Sequence, residues 1–167
     1  IAAMQQFDLI IVGGGLAGAS LAIALRDTPL RIALVEHQPP RRPDGWDARI
    51  YAVSPTNARF LDSIGIWTHL DTTRIEPVRK MAVRGDGRGA LNFSAYESGV
   101  GELAWIVESA HLQSELWESA KRQGNLDLFC PAAPTVLDIG DHEVVLELAD
   151  HRTLTAKLVV AADGADS

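Results

Sequence analysis

A chain of 167 residues, 47% hydrophobic and 22% charged, is long enough for one domain with a real core and has an ordinary globular composition. Its net charge of −7 disfavours nucleic acid as a partner, because phosphate recognition needs a basic face. One cysteine, Cys130, excludes an internal disulfide and fits a reducing cytoplasm, and no apolar run approaches the roughly 20 residues that cross a bilayer.

Met4 is read as the natural start, with Ile1, Ala2 and Ala3 a remnant before it. Residues 9–12 then form an uninterrupted apolar run, the pattern of a parallel strand buried on both faces. It ends in Gly13-Gly14-Gly15-Leu16-Ala17-Gly18, which satisfies G-x-G-x-x-G. A helical pattern follows, with Leu21, Ala24 and Leu25 spaced to face a sheet, and a second buried strand at 32–35 stops at Glu36. Strand, glycine turn, helix, strand and terminal acid, in that order, make the dinucleotide-binding βαβ unit. Gly13 permits the tight turn, Gly15 lets backbone approach a pyrophosphate, and Gly18 lets the helix pack closely on the strand. Leu16 and Ala17, between those glycines, open a helix whose unpaired N–H groups attract phosphate. Glu36 stands where a carboxylate accepts from the ribose hydroxyls of an adenosine, and His37 beside it is grouped with the same site. The bland alternative is a glycine turn that binds nothing. Two strands, the helix and an acid at about the expected 20 residues weigh against it.

Residues 37–43 are a proline-rich, basic loop, in which Arg41 and Arg42 are read as solvated rather than phosphate-bound. Residues 47–53 lead into a helix that Ser54 caps, Pro55 opens and Gly65 stops, with Ala58, Leu61 and Ile64 as its apolar stripe. Arg49 precedes that helix on a segment expected to return to the nucleotide edge, where it either clamps a pyrophosphate or makes a surface ion pair. Residues 77–83 and 90–95 read as strands joined by a glycine-rich hairpin turn at 85–89. Residues 103–107 are another apolar strand, after which Ser109 caps a helix with Leu112, Leu116 and Ala120 inward and Gly124 at its end. Gln113, near its start, either bonds a cofactor or caps backbone. Trp105 and Trp117 are read as core rather than stacking platforms.

From residue 126 the pattern is β-rich, with strands at 127–130, 135–139, 144–148 and 154–162. The last three form a small antiparallel meander, and the final strand is long and apolar enough to re-enter the parallel sheet. It delivers Asp163 and Gly164 to the carboxyl edge, where ligands of such sheets bind. The chain stops just after, at Ser167, and is read as a fragment. His37, His69, His111, His142 and His151 lack metal-ligand spacing, so no metal is expected, and no catalytic nucleophile is assigned.

Several stretches together resemble a known family. DLIIVGGGLAGASLAIAL matches an FAD fingerprint, and DARIYAVSPTNARFLDSIGIW matches a segment in which an arginine precedes an A-(L/V)-S helix start. WIVESAHLQSELWESA is similar to a V-V-E-N-x-x-L-x-x-x-L strand and helix, and LTAKLVVAADGADS to an Asp-Gly motif used near both FAD and NAD(P)H. The chain thus resembles the N-terminal part of class A flavoprotein aromatic hydroxylases, and among them the ubiquinone-biosynthesis hydroxylases. The resemblance runs from Phe7 to Ser167. It departs at Ser109-Ala110, where the family carries asparagine and often arginine, and the family's Gly-Asp-Ala-x-His stretch is not in this sequence.

The resemblance implies an α/β, Rossmann-like FAD-binding domain of the glutathione-reductase type, a parallel sheet plus an antiparallel β-meander, incomplete in this chain. Residues of about 66–106 would contribute to the start of the substrate-domain region. Gly13, Gly15 and Gly18 would bind the FAD pyrophosphate and Glu36 the adenosine ribose. Arg49 would contact the FAD phosphate or ribose, Gln113 would lie beside the ribityl and pyrophosphate, and Asp163 and Gly164 would belong to the dual cofactor motif. The implied activity is a monooxygenase in which NAD(P)H reduces FAD, and the reduced FAD reacts with O₂ to give a flavin hydroperoxide that hydroxylates a prenylated phenol; the 167-residue piece alone would be inactive. Such a substrate favours a cytoplasmic enzyme working near the inner membrane face or in a biosynthetic assembly. Alternatives are an NAD-dependent dehydrogenase, an FAD-dependent epoxidase or prenyl reductase, and a non-catalytic FAD-binding assembly subunit.

Overall fold

The computed structural model describes residues 4–87 and 89–164. In chain order its elements begin with β1 (Gln5–Gln6), β2 (Leu9–Val12), α1 (Leu16–Ala24), β3 (Ile32–Val35), β4 (Ile50–Val53) and α2 (Pro55–Ser63). There follow β5 (Ile75–Val78), β6 (Lys80–Arg84), β7 (Ala90–Ser94), β8 (Ala104–Glu108) and α3 (Ser109–Lys121). The last are β9 (Leu126–Phe129), β10 (Pro134–Ile139), β11 (Val144–Leu148), β12 (Thr153–Ala156) and β13 (Leu158–Ala161). They fall into two compact units: one takes the chain up to Arg41 and again from Gln113, the other is Arg42–Leu112.

The first unit is built on a parallel sheet of order β13-β2-β3-β9. Because side chains alternate across a strand, its two faces collect different partners. Ile10, Ala33, Val35 and Phe129 point into one cluster with Leu146, Leu148 and Leu154 of the meander. Leu9, Ile11, Ile32 and Leu34 point into another with Ala22 of α1 and Trp117 and Ala120 of α3. Burial on both faces is why β2 and β3 read as unbroken apolar runs. β9, expected only as part of a β-rich tail, is the outer strand beside β3 rather than a meander strand.

Two expectations need correction here. α1 buries Gly18, Ala19, Ala22 and Ile23, and Leu21 and Leu25 pack partly buried against the core as expected, whereas Ala24 is exposed. The tight fit is at the start of the helix, where Gly18 sits directly against the strand end, and it relaxes by Ile23, a large side chain that is fully buried. The predicted strand 154–162 breaks at Lys157. β12 joins the sheet of order β1-β12-β11-β10, and β13 joins the parallel sheet. The N-terminal chain changes sheets at the same level, with β1 beside β12 and β2 beside β13, and Lys157 Nζ pairs with Asp8 Oδ1 at 3.2 Å where both chains turn.

In the second unit β8 is the centre of an antiparallel sheet of order β4-β8-β5. α2 begins as predicted: Ser54 Oγ accepts from the Asn57 N–H at 3.2 Å, Pro55 follows, and Ala58, Leu61 and Ile64 are buried. The predicted strand 77–83 divides at Arg79, with β5 paired to β8 and β6 to β7. β6 and β7 form the expected hairpin; Arg88 of its turn lies outside the described residues, as do residues 1–3 and 165–167. Met81 stands opposite Phe93 and Val83 opposite Leu91, which gives the hairpin one apolar, exposed face.

Candidate functional site

The carboxyl end of the parallel sheet in the first unit gathers most of the predicted site. Gly13 continues the ladder, donating its N–H to the Val35 carbonyl at 2.8 Å, and then turns with φ +104°. A Cβ there would strike the Ala162 carbonyl and the Asp163 backbone, so glycine is required by close approach as well as by φ. A Cβ at Gly18 would strike the Gly13 carbonyl, which is how closely α1 sits on the strand end. At Gly15 a Cβ would meet nothing within 4 Å. That open space lies above the start of α1, whose cap residue supplies no side-chain hydrogen bond and whose first turn carries no acidic residue. Among the described residues the N–H groups at Leu16 and Ala17 therefore have no side-chain acceptor of their own, as an anion site requires.

Glu36 leaves the end of β3 and is half-buried. Its Oε2 accepts from the Gly14 N–H at 2.6 Å and its Oε1 from the Gln38 N–H at 3.0 Å. Each oxygen keeps a lone pair, so the carboxylate holds the glycine loop and retains the capacity to accept a further hydrogen bond. Gln113 reaches the same peptide from α3, donating Nε2–H to the Gly14 carbonyl at 2.5 Å. His37 is exposed beside Glu36 and lines a shallow recess of about 180 Å³ with Pro131, Ala132 and Asp150. Cys130 is half-buried and packs against the core that holds Trp117; burial first, and the Glu36 charge second, push its thiol up from the usual cysteine value. Asp163 and Gly164 follow β13, both exposed, Gly164 with φ +87°.

Gly13, Gly15, Leu16, Ala17, Gly18, Glu36, His37, Gln113, Asp163 and Gly164 thus share one unit, while Arg49 belongs to the second. There Arg49 has an exposed side chain and a pinned backbone: its N–H donates to Asp47 Oδ1 at 3.0 Å and its carbonyl accepts from Ser109 at 2.8 Å. Asp47 is tied in turn to Glu108 and α3. Its N–H donates to Glu108 Oε2 at 2.6 Å, and its Oδ2 accepts from the Ala110 N–H at 2.9 Å. Asp47, not Ser109, therefore supplies the side-chain acceptor at the start of α3, because β8 runs directly into the helix and makes Ser109 its first residue. Glu108, 4% exposed, is bridged by Arg74, with Nε and Nη2 each 2.6 Å from a carboxylate oxygen. The Arg74 guanidinium, with the Asp47 N–H, holds the Glu108 carboxyl below the usual glutamate range. Sequence reasoning missed this network and the part played by Gly14. A glutamate closing an apolar strand at Glu108, as at Glu36, was the available signal.

The residues fit an adenine dinucleotide: open space over Gly15, an uncapped helix start and a carboxylate beyond it. The FAD binding domain family matches residues 6–167. The chain is 30% identical over 166 residues to the 3-demethoxyubiquinol 3-hydroxylase of Escherichia coli (strain K12), covering 98% of this chain and 42% of that protein. It is 29% identical over 177 residues to the mitochondrial ubiquinone biosynthesis monooxygenase COQ6 of Drosophila melanogaster, covering 98% of this chain and 37% of that protein. The chain therefore spans less than half the length of these curated relatives. Among solved structures, the p-nitrophenol 4-monooxygenase PnpA of Pseudomonas putida DLL-E4 matches with a TM-score of 0.79 at 21% identity, over 98% of this chain and 42% of that one. At that identity the likeness is one of fold.

Proposed function

Since the chain belongs to the FAD binding domain family, we propose that it forms the dinucleotide-binding part of a flavin-dependent, NAD(P)H-using monooxygenase that hydroxylates a prenylated phenol in ubiquinone biosynthesis. The observation that carries the reading is the glycine loop, with its open Gly15, uncapped α1 and Glu36 at the end of β3. The relatives named as a 3-demethoxyubiquinol 3-hydroxylase and as a ubiquinone biosynthesis monooxygenase support the choice of pathway. FAD, when bound, supplies the electron and oxygen chemistry.

The chain's own residues bind and orient. The N–H groups from Gly15 to Gly18 receive the diphosphate, and Glu36 accepts from the adenosine ribose. Gln113, Asp163 and Gly164 belong to the same unit, at the edge along which the rest of the cofactor would run. A prenylated substrate calls for a protein at the surface of the membrane that holds it; among the described residues no helix is long and apolar enough to cross one. Full-length protein mixed with FAD and desalted should retain a bound-flavin visible spectrum. It should then consume O₂ with NAD(P)H and a prenylphenol. Absence of bound flavin defeats the reading, and bound flavin without phenol-dependent product favours the reductase or assembly-subunit alternatives.

A further inference from the structure

Two side chains one helical turn apart on α3 act on a single peptide of the glycine loop. Gln113 donates to the Gly14 carbonyl at 2.5 Å. Trp117 places its Cζ3 2.8 Å from the position a Cβ on Gly14 would take, and its ring is buried in the core beneath. Residues four apart on a helix share a face, so one surface of α3 both grips this peptide and fills the space beside it. From the other side the Gly14 N–H donates to Glu36 Oε2 at 2.6 Å, with the Glu36 Cβ 3.1 Å from the same would-be Cβ. Both polar groups of Gly14 are therefore fixed, and neither side leaves room for a side chain. Because a peptide is planar, fixing the Gly14 carbonyl fixes the direction of the Gly15 N–H, and the start of α1 follows from it.

We propose that Gln113 and Trp117 are positioning residues of the diphosphate site. From one face of α3 they hold the Gly14 peptide and so aim the N–H groups at Gly15, Leu16 and Ala17 before a ligand arrives. The inference rests on the FAD reading above but assigns Gln113 a different task from contact with the flavin. Preorganised donors bind better because the ligand does not have to order them.

ADP separates the two tasks, since it carries the diphosphate and adenosine but no flavin. Apoprotein of the full-length protein is titrated calorimetrically with FAD and with ADP. Gln113→Leu keeps the bulk and removes the donor; it should weaken both ligands by the same factor, about tenfold for a lost hydrogen bond. The spectrum of the FAD it does bind should match that of the parent protein, and its apoprotein should melt within a few degrees of the parent. Gly14→Ala should lose at least as much ADP affinity, and Trp117→Phe in the same chain should recover part of it. Weakened FAD binding with unchanged ADP binding overturns the proposal in favour of direct flavin contact, and unchanged binding of both overturns it outright. If Gln113→Leu does not fold, the Gly14 pair decides alone: recovery by Trp117→Phe supports the proposal and absence of recovery overturns it. A parent protein that binds neither ligand defeats the FAD reading itself and carries this inference down with it.

Discussion

The Glu36 carboxylate is engaged by its own chain before any ribose arrives, with one oxygen on Gly14 and the other on Gln38. Glu36→Gln therefore breaks two things. An amide that keeps its oxygen on the Gly14 N–H turns its NH₂ towards the Gln38 N–H, donor against donor. FAD affinity should fall about tenfold, and the apoprotein should lose about 1 kcal/mol in urea denaturation. Glu108 makes the contrasting case, a buried carboxylate bridged by Arg74 and the Asp47 N–H. Arg74, and then the Asp47 N–H, depress its folded-state value below the usual 4.5, so its ionised form is the stabilising one. That contribution is whole above pH 4.5 and is lost as pH falls through the lowered folded value. Glu108→Gln should cost about 2 kcal/mol at pH 7, with the gap to the parent protein shrinking in denaturation curves taken towards pH 3. A gap that stayed constant over that range would mean the charge of Glu108 contributes nothing.

On the proposed reading, α1 is an element left short of its own stability for the sake of a ligand. No acidic residue stands in its first turn, although one there would favour the helix dipole. Ala17→Glu, at an exposed first-turn position, should stabilise the apoprotein by about 0.5 kcal/mol and yet weaken FAD and ADP by roughly tenfold or more, through charge repulsion. Melting temperature and affinity moving in opposite directions is the outcome to look for; a parallel fall would make the substitution merely disruptive. Elements of this kind were legible in the sequence wherever the signal is local. The apolar runs of β2 and β3, the Ser54–Pro55 start of α2 and the glycine stop at Gly65 all depend on residues within a turn or two. What depends on a distant partner was not legible. The runs 77–83 and 154–162 each look like one strand, because periodicity reports alternation and not which sheet supplies the hydrogen bonds. Their breaks at Arg79 and Lys157 are set by pairings with β8, β7, β1 and β2. Gln113 stayed ambiguous for the same reason, its acceptor lying 99 residues away.

At the scale of the whole chain, the parallel sheet of the first unit is completed by its last described strand. β13 pairs with β2 in the register Leu158↔Leu9 through Ala161↔Val12, and the Ala162 N–H then donates to the Val12 carbonyl at 2.7 Å. The carbonyl of that same Ala162 walls in Gly13, so the geometry of the glycine turn depends on a segment about 150 residues away from it. Deleting residues 158–164 should thus damage binding and folding together. It strips an edge from β2, leaving unpaired backbone on a strand whose residues Ile10 and Ile11 are fully buried. Counting a few backbone hydrogen bonds and the partial burial of Val159 and Val160, the loss is roughly 5 kcal/mol, comparable with the whole stability of a small domain at about 5–15 kcal/mol. The shortened protein should aggregate on size-exclusion chromatography and bind no ADP. Leu158→Thr, at a position 57% exposed, tests whether the effect belongs to the strand's backbone or to its apolar side chains. It should shift stability by only about 0.5 kcal/mol and leave ADP binding intact. If the shortened protein stayed folded and bound ADP as the parent does, the glycine turn would owe its shape to β2, β3 and α1 alone, and the contact between Gly13 and Ala162 would be packing without consequence for the site.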